Sequence, residues 1–480
     1  MSGRPVPLVT LAALAVAPAL LLVGVWQYAD ANVPPPTTTT TTTLPPPPDD
    51  PLDTPLLSFR RHPEPLAVRV ARAEADAAFA AEVEEVRDDL IGDACLRVRD
   101  DDDPVAVLGT DAALIPASNQ KLLVAAVALQ LLGRDHRFRT ELVSNRPFDG
   151  VVTGSVYLVG GGDPVLRTAG VPDPLRHPAF NVTLLDDLAD QLVALGIKRI
   201  QGDIVGDGSR YDDEFRAPSW GDEITNLDAG PYDALLVNDG LIGDGNYGLD
   251  PNRSAARAFL DLLVARGIVV EGAAANATRP TSDDFTTLAF VQSEPLPEIL
   301  VELLHTSDNN TAELLVKEIG YVAAGSGTRE AGLGVIRETL AGWGVPLDGV
   351  ELHDGSGLSR SNRVTCDALV EILADSPVAD ELRELLPVAG RDGTLAEQLL
   401  DTPAEGRLQA KTGTLTDVKA LTGSHPGADG RLVDFSLVLN GTDVHVPENY
   451  EPVWLAVVDL IDGYPIEVAP DPTAFAPRLS

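Results

Sequence analysis

From Ile115 to Gly133 the chain reads IPASNQKLLVAAVALQLLG, a run whose Leu/Val/Ala density continues round the helical circumference until a glycine stops it. A helix apolar on every side belongs in a protein interior, and Gly133 is its C-terminal signal. The run nevertheless carries one charge, Lys121, three residues after Ser118 in the first turn. At 3.6 residues per turn these two side chains share a helix face and lie within reach of each other. Lysine is scarce in this sequence: Lys121, Lys198, Lys317, Lys411 and Lys419 are all of it.

Other elements are legible on both sides of this helix. Val68, Ala71, Ala75, Phe79, Val83, Val86 and Leu90 recur in steps of three and four, a helical period. Two β-like runs follow, Ala94 to Arg99 and Pro104 to Gly109, joined by four aspartates read as a solvated turn. Three helical patterns, Pro297 to His305, Thr311 to Gly320 and Gly332 to Leu340, come after the middle of the chain. Three more β-like runs lie at Arg407 to Thr412, Ala420 to His425 and Arg431 to Asn440, before a helical Pro452 to Leu460. Two strands early and three late predict one five-stranded antiparallel sheet built from both ends of the chain and flanked by helices, an α+β fold.

Between them, residues 146–290 have another texture: short β-like runs, Gly/Asp/Pro turns and two helical patterns, Leu184 to Leu195 and Arg253 to Arg266. They are expected to form an inserted β-rich domain that divides the main one into residues 56–145 and 291–480. The glycine run Gly160-Gly161-Gly162 has neither the Lys-Ser/Thr ending nor the spacing of a phosphate loop.

The N-terminus speaks to compartment. Leu8 to Trp26 is uncharged and close to the roughly 20 residues that span a bilayer core. Residues 1–31 are therefore expected to be a signal peptide or membrane anchor, cleavage and retention both remaining open. The Pro/Thr-rich segment 32–55 has nothing to pack and favours extended conformations. This pattern places the body outside the cytoplasm, secreted or anchored by the N-terminal segment, with no other membrane contact. Export permits a Cys95–Cys366 disulfide, but one cysteine stands in a predicted strand and the other at a helix start, so the bond is not expected. With 35 Lys+Arg against 73 Asp+Glu the net charge is −38, which excludes attachment to nucleic acid through a global field. The 7 histidines form no HExxH or paired spacing, against a zinc hydrolase. Oligomeric state is not legible.

Three short motifs carry chemistry: Ser118-Asn119-Gln120-Lys121, Ser307-Asp308-Asn309 and Lys411-Thr412-Gly413. A serine hydroxyl becomes a nucleophile when a neighbouring base takes its proton. Lys121 can be that base if burial, and a second cation such as Lys411, lowers its proton affinity. Ser118 at a helix N-terminus also meets backbone N–H groups that favour negative charge. Ser307-Asp308-Asn309 precedes a helix with Asn310 as expected N-cap and Glu313 completing a capping box. Lys411-Thr412-Gly413-Thr414 ends a β-run, where Gly413 would let a ligand backbone approach, and Lys411 and the hydroxyls would receive a carboxylate. Local donors of this kind must overcome the repulsion between a strongly acidic protein and an anionic ligand.

In these motifs, and in YLVGGGDPVL at Tyr157 to Leu166, VGDGSRYDDE at Val205 to Glu214, SDNNTAELLVKEIG at Ser307 to Gly320, DGSGLSRSN at Asp354 to Asn362 and AKTGTL at Ala410 to Leu415, the chain resembles the class C low-molecular-mass penicillin-binding D-alanyl-D-alanine carboxypeptidase/endopeptidases. The resemblance runs from about residue 60 to 445. It implies a β-lactamase/DD-peptidase-like domain with an insertion between the first two motifs, acting on peptidoglycan stem peptides and acylated by β-lactams. Ser118 would be the nucleophile, Lys121 its base, and the N–H groups of Ser118 and Thr414 the oxyanion hole. Ser307 and Lys411 would relay a proton to the leaving amine, Asn309 would orient the substrate amide, and Thr412, Gly413 and Thr414 would line the carboxylate end. No metal or organic cofactor is implied. Ser118 and Ser307 stand closer in sequence than in relatives with two inserted domains, so the smaller insertion is expected to be reduced or absent. A β-lactamase or esterase of the same fold and a non-catalytic wall scaffold are the alternatives.

Overall fold

The computed structural model describes residues 63–465 and 469, apart from 101–102, 171–179, 222–227 and 243–245. The N-terminal apolar span, the Pro/Thr-rich segment and the tip of the aspartate run lie outside the described residues, among which no helix is long and apolar enough to cross a membrane. A five-stranded antiparallel sheet runs in the order Gln409–Leu415, Val418–Pro426, Leu432–Asn440, Asp93–Asp100, Asp103–Gly109. It is the expected sheet from both ends of the chain.

Because successive side chains of a strand point to opposite faces, Asp93–Asp100 separates two cores. Ala94, Leu96 and Val98 pack with Phe79, Leu437, Trp454 and Val457 beneath the first and last helices, Pro63–Glu85 and Pro447–Asp462. Cys95 packs on the other side with Leu122 to Leu129, Ala420 and Val438. The apolar helix is therefore central: Lys121–Leu132 is buried from Lys121 through Leu129. Helices Leu296–Thr306, Asn309–Ala324 and Cys366–Ala374 contribute Leu300, Leu315 and Leu369 to the same core.

Two expectations are corrected here. Cys95 and Cys366 form a disulfide with Cα atoms 6.0 Å apart. Their local contexts differ, but the N-terminus of Cys366–Ala374 packs on the sheet face from which Cys95 projects. The aspartate run is also more than a solvated turn, since Asp100 is buried and paired with Arg72 and Arg431.

A second sheet, from strands between residues 139 and 292, has the order Ala274–Asn276, Ile204–Asp207, Val156–Val159, Arg139–Asn145, Phe285–Gln292. Its three neighbouring strands from the 274–276 edge pair in parallel and the other two antiparallel. Helices Asp186–Ala194 and Pro251–Ala265 cover it, with Leu188, Leu192, Phe259 and Leu263 fully buried. The fold is α+β, one antiparallel sheet domain interrupted by a strand-rich insertion.

The insertion is joined to the helical layer by buried charge. Arg210 pairs bidentately with Glu318 (2.8 and 2.7 Å), which also accepts from the Tyr211 hydroxyl at 2.8 Å. Lys317, fully buried, donates to the Glu214 carbonyl at 2.7 Å and meets the Asp212 carboxylate at 2.6 Å. The glycine run belongs to this packing: a Cβ on Gly160 would lie 2.3 Å from the Ala234 carbonyl oxygen, and one on Gly161 2.1 Å from that of Arg139.

Candidate active site

Ser118 sits in a 3-10 turn, Ala117–Gln120, that feeds directly into the central helix. The tighter turn keeps Ser118 and Lys121 on one face. Ala117, just before the serine, is left-handed at φ 46°, a conformation that a non-glycine residue adopts only where its surroundings impose it. Lys121 Nζ donates to Ser118 Oγ at 3.0 Å, to Asn309 Oδ1 at 2.8 Å and to the Ser356 carbonyl at 2.7 Å. Burial pulls the Lys121 ammonium down to about 8, against Asp308, Asp354 and Glu313, whose charges raise it.

The second-cation effect expected at Lys121 falls instead on Lys411. That ammonium is also fully buried and held well below its ordinary range by desolvation first, then by Lys121 and Lys419. The reason is neighbourhood: Lys121 faces carboxylates, and Lys411 faces two lysines.

Helix Leu296–Thr306 ends at Ser307, whose left-handed backbone (φ 61°) reverses the chain. Asp308 caps the next helix by accepting from the Thr311 N–H at 2.5 Å. The capping box expected at Asn310 and Glu313 is therefore not formed: Asn310 is inside the helix, donating to Asp239 at 2.6 Å, and Glu313 turns elsewhere. With Asp308 as cap, Ser307 and Asn309 emerge on either side of one turn. Ser307 Oγ accepts from Lys411 Nζ at 2.9 Å, and Asn309 Nδ2 donates to the Asp228 carbonyl at 2.7 Å.

Gln409–Leu415 is the edge strand of the first sheet, so it can offer backbone groups to an extended peptide. Gly413 is needed by the protein's own packing, because a Cβ there would lie 2.8 Å from the Pro116 carbonyl oxygen and 3.2 Å from the Ala117 Cβ. That contact lays the strand against the serine turn. Thr412 donates to the Thr394 hydroxyl at 2.8 Å, and the exposed Thr414 accepts from Lys419 Nζ at 3.0 Å.

Several members of the site escaped sequence reasoning. Glu313, buried in the helix after Ser307, accepts from the N–H groups of Gly355 (3.0 Å) and Ser356 (2.7 Å). Burial and then the Asp354 charge push its carboxyl up to about 7. Asp354 accepts from the Gly357 and Ser359 N–H groups (2.9 and 2.6 Å), Asn362 (2.7 Å) and the Trp220 indole (2.8 Å). Together they brace the loop whose Ser356 carbonyl meets Lys121. The sequence signals were the DGSGLSRSN run for Asp354 and the SDNNTAELLVKEIG run for Glu313, which name a loop and a helix without saying what either faces. Thr394 and Lys419 had no signal beyond, for Lys419, the rarity of lysine. Ser118, Lys121 and Asn309 form one hydrogen-bonded group and Ser307 with Lys411 a second, with Thr412, Gly413 and Thr414 following Lys411 on the same strand.

The D-Ala-D-Ala carboxypeptidase 3 (S13) family profile matches residues 77–244 and 248–456. The chain is 32% identical over 430 residues to a D-alanyl-D-alanine carboxypeptidase of Actinomadura sp. strain R39, covering 72% of this chain and 76% of that one. It is 32% identical over 343 residues to a carboxypeptidase of Mycolicibacterium smegmatis, covering 69% and 72%. In fold it is similar to penicillin binding protein 4 from Haemophilus influenzae, with a TM-score of 0.70 at 22% identity, covering 80% of this chain and 99% of that one.

Proposed function

The chain belongs to the D-Ala-D-Ala carboxypeptidase 3 (S13) family, and from that premise we propose that it is a serine-type D-Ala-D-Ala carboxypeptidase/endopeptidase acting on peptidoglycan stem peptides through an acyl-enzyme. One observation carries the reading: Lys121 Nζ joins Ser118 Oγ (3.0 Å) to Asn309 Oδ1 (2.8 Å), while Lys411 Nζ holds Ser307 Oγ at 2.9 Å. A nucleophile with its base, a second lysine–serine pair and an amide-orienting side chain thus meet at one place.

Neutral Lys121 takes the Ser118 proton as Oγ attacks the carbonyl carbon between the two terminal D-alanines, or of a D-Ala–diaminopimelate crosslink. Its low proton affinity supports this role, since an ordinary lysine is protonated at pH 7. The N–H groups of Ser118 and Thr414 receive the oxyanion. Collapse of the tetrahedral intermediate breaks the C–N bond, and the departing amine takes a proton through Ser307 and Lys411. Water then hydrolyses the ester. Asn309, pinned at both ends of its amide, orients the substrate amide; Thr412, Gly413 and Thr414 take the terminal carboxylate. A β-lactam enters the same path and leaves an ester that hydrolyses slowly.

On this reading the first sheet and its helices form the catalytic domain, and the insertion, whose sheet takes in Arg139–Asn145 and Phe285–Gln292 and so overruns the expected bounds of 146–290 at both ends, buttresses it. Cell-wall substrates place the protein outside the cytoplasm, and the apolar segment 1–31 serves export or anchoring. The test is intact-protein mass spectrometry after incubation with benzylpenicillin, beside Ser118→Ala. A single adduct of the drug's mass that the variant lacks is expected. No adduct with intact drug would leave a scaffold; no adduct with hydrolysed drug would leave a β-lactamase.

A further inference from the structure

We propose that Asn119 is a positioning residue for the acylation step: it ties the serine turn to Thr422, the cross-strand neighbour of Lys411, and so fixes Ser118 against the second lysine–serine pair. The inference rests on the reading of the site above and adds to it a residue that acts through Ser118. The serine turn and the Lys411 strand come from remote parts of the chain, and proton transfer through both needs them held in one register. Asn119, fully buried beside Ser118, donates from Nδ2 to Thr422 Oγ1 at 2.7 Å, and Thr422 Oγ1 lies 2.9 Å from Ser436 Oγ. Thr422 faces Lys411 across one strand pair and Ser436 across the next. Side chains of register partners project from the same face, so the anchor of Asn119 stands directly beside the lysine that holds Ser307.

Strain and cost both mark this bond as more than packing. On the other side of Ser118, Ala117 is left-handed at φ 46°, a conformation that relaxes unless its surroundings hold it. The backbone contacts of Gly357 and Gly413 hold the turn before the serine; the Asn119 amide is the side-chain hold after it. The amide is also a costly occupant. Its Oδ1 has no partner among the described residues, and a buried polar atom left unmatched destabilises a fold. A leucine of similar size would fill the place without that cost. Stability therefore does not account for the asparagine, whereas alignment of Ser118 with Lys411 does.

The test is pre-steady-state acylation, which separates the half-saturating reagent concentration from the limiting rate of attack by the serine. With benzylpenicillin, Asn119→Leu is expected to lower the limiting rate about tenfold, the effect of one buried hydrogen bond, and to leave half-saturation unchanged. Thr422→Val should do the same, while Thr422→Ser, which keeps the hydroxyl, should keep the parent rate. Asn119→Leu combined with Thr422→Val should be no slower than either alone, because both remove one interaction. The two Thr422 variants carry the test should the leucine protein not fold. An aryl fluorophosphonate, which labels an activated serine whatever its substrate, is run beside the penicillin. A parent labelled by the phosphonate and not by penicillin would lose the DD-peptidase reading, and the variants' rates with the phosphonate would still decide the proposal. Unchanged limiting rates, a change in half-saturation alone, equal losses in Thr422→Ser and Thr422→Val, or additive losses in the double variant would overturn it. So would a parent that neither reagent labels.

Discussion

Lys121 answers to two opposed influences, and their balance is measurable. Burial drives its proton off, while Asp308, Asp354 and Glu313 draw it back, leaving the group at about 8. Only the neutral amine can accept the Ser118 proton, so the acylation rate with benzylpenicillin should climb with pH along a limb centred near 8 and level off above it. A rate independent of pH from 6 to 10 would remove Lys121 as the base. Glu313 tunes this limb. Glu313→Gln preserves an acceptor for the 355–356 peptide groups but removes a charge that raises Lys121, so the limb should move to lower pH. Glu313→Ala also leaves the Gly355 and Ser356 N–H groups without that acceptor, and the maximal acylation rate should fall by about tenfold or more, an unmatched buried donor costing about 1–3 kcal/mol. A purely structural role for Glu313 would lower the rate without moving the limb.

Between elements, close backbone contacts decide where the side chains of the proposed site stand. Gly357 is left-handed at φ 84°, and a Cβ on it would lie 1.9 Å from the Ala117 carbonyl oxygen, one residue before Ser118. Gly357→Ala should lower the melting temperature and nearly abolish penicillin acylation, because both the loop and the serine turn must shift. Gly334, exposed within helix Arg329–Gly342 and with nothing within 4 Å of its Cβ position, provides the contrast. Gly334→Ala should stabilise the protein by up to about 1 kcal/mol and leave acylation unchanged. Thermal melts and adduct kinetics on the two variants separate contact from helix propensity.

At the scale of the whole molecule, Cys95–Cys366 closes a sequence separation of 271 residues. It ties the fourth strand of the five-stranded sheet, Asp93–Asp100, to the helical layer that packs on it. A cross-link over so long a loop restricts the unfolded chain, worth about 2–4 kcal/mol in typical cases. Cys95→Ser with Cys366→Ser should lower the melting temperature by several degrees while penicillin still acylates Ser118. Thiol titration of the denatured, unreduced protein should find no free cysteine; two reactive thiols would contradict the bond.

The pairing of Ser118 with Lys121, and the turn that carries Ser307 and Asn309, were legible in the sequence, because motif residues three apart on a helix or within one turn are held together by local geometry. The five-stranded sheet was legible too, from alternation and turn chemistry. What local spacing could not contain is the meeting of distant segments. Asp308 displaced Asn310 as the cap once the left-handed Ser307 had set the turn. Glu313 and Asp354 acquired their roles only where a helix and a loop crossed behind Lys121. The disulfide formed across two unlike elements because their faces pack, and burial lowered the proton affinity of both lysines, the charges that folding placed nearby opposing the shift at Lys121 and adding to it at Lys411. Periodicity and short motifs are properties of neighbouring residues; the polarity and proton affinity of a buried site belong to whichever remote groups share its low-dielectric space.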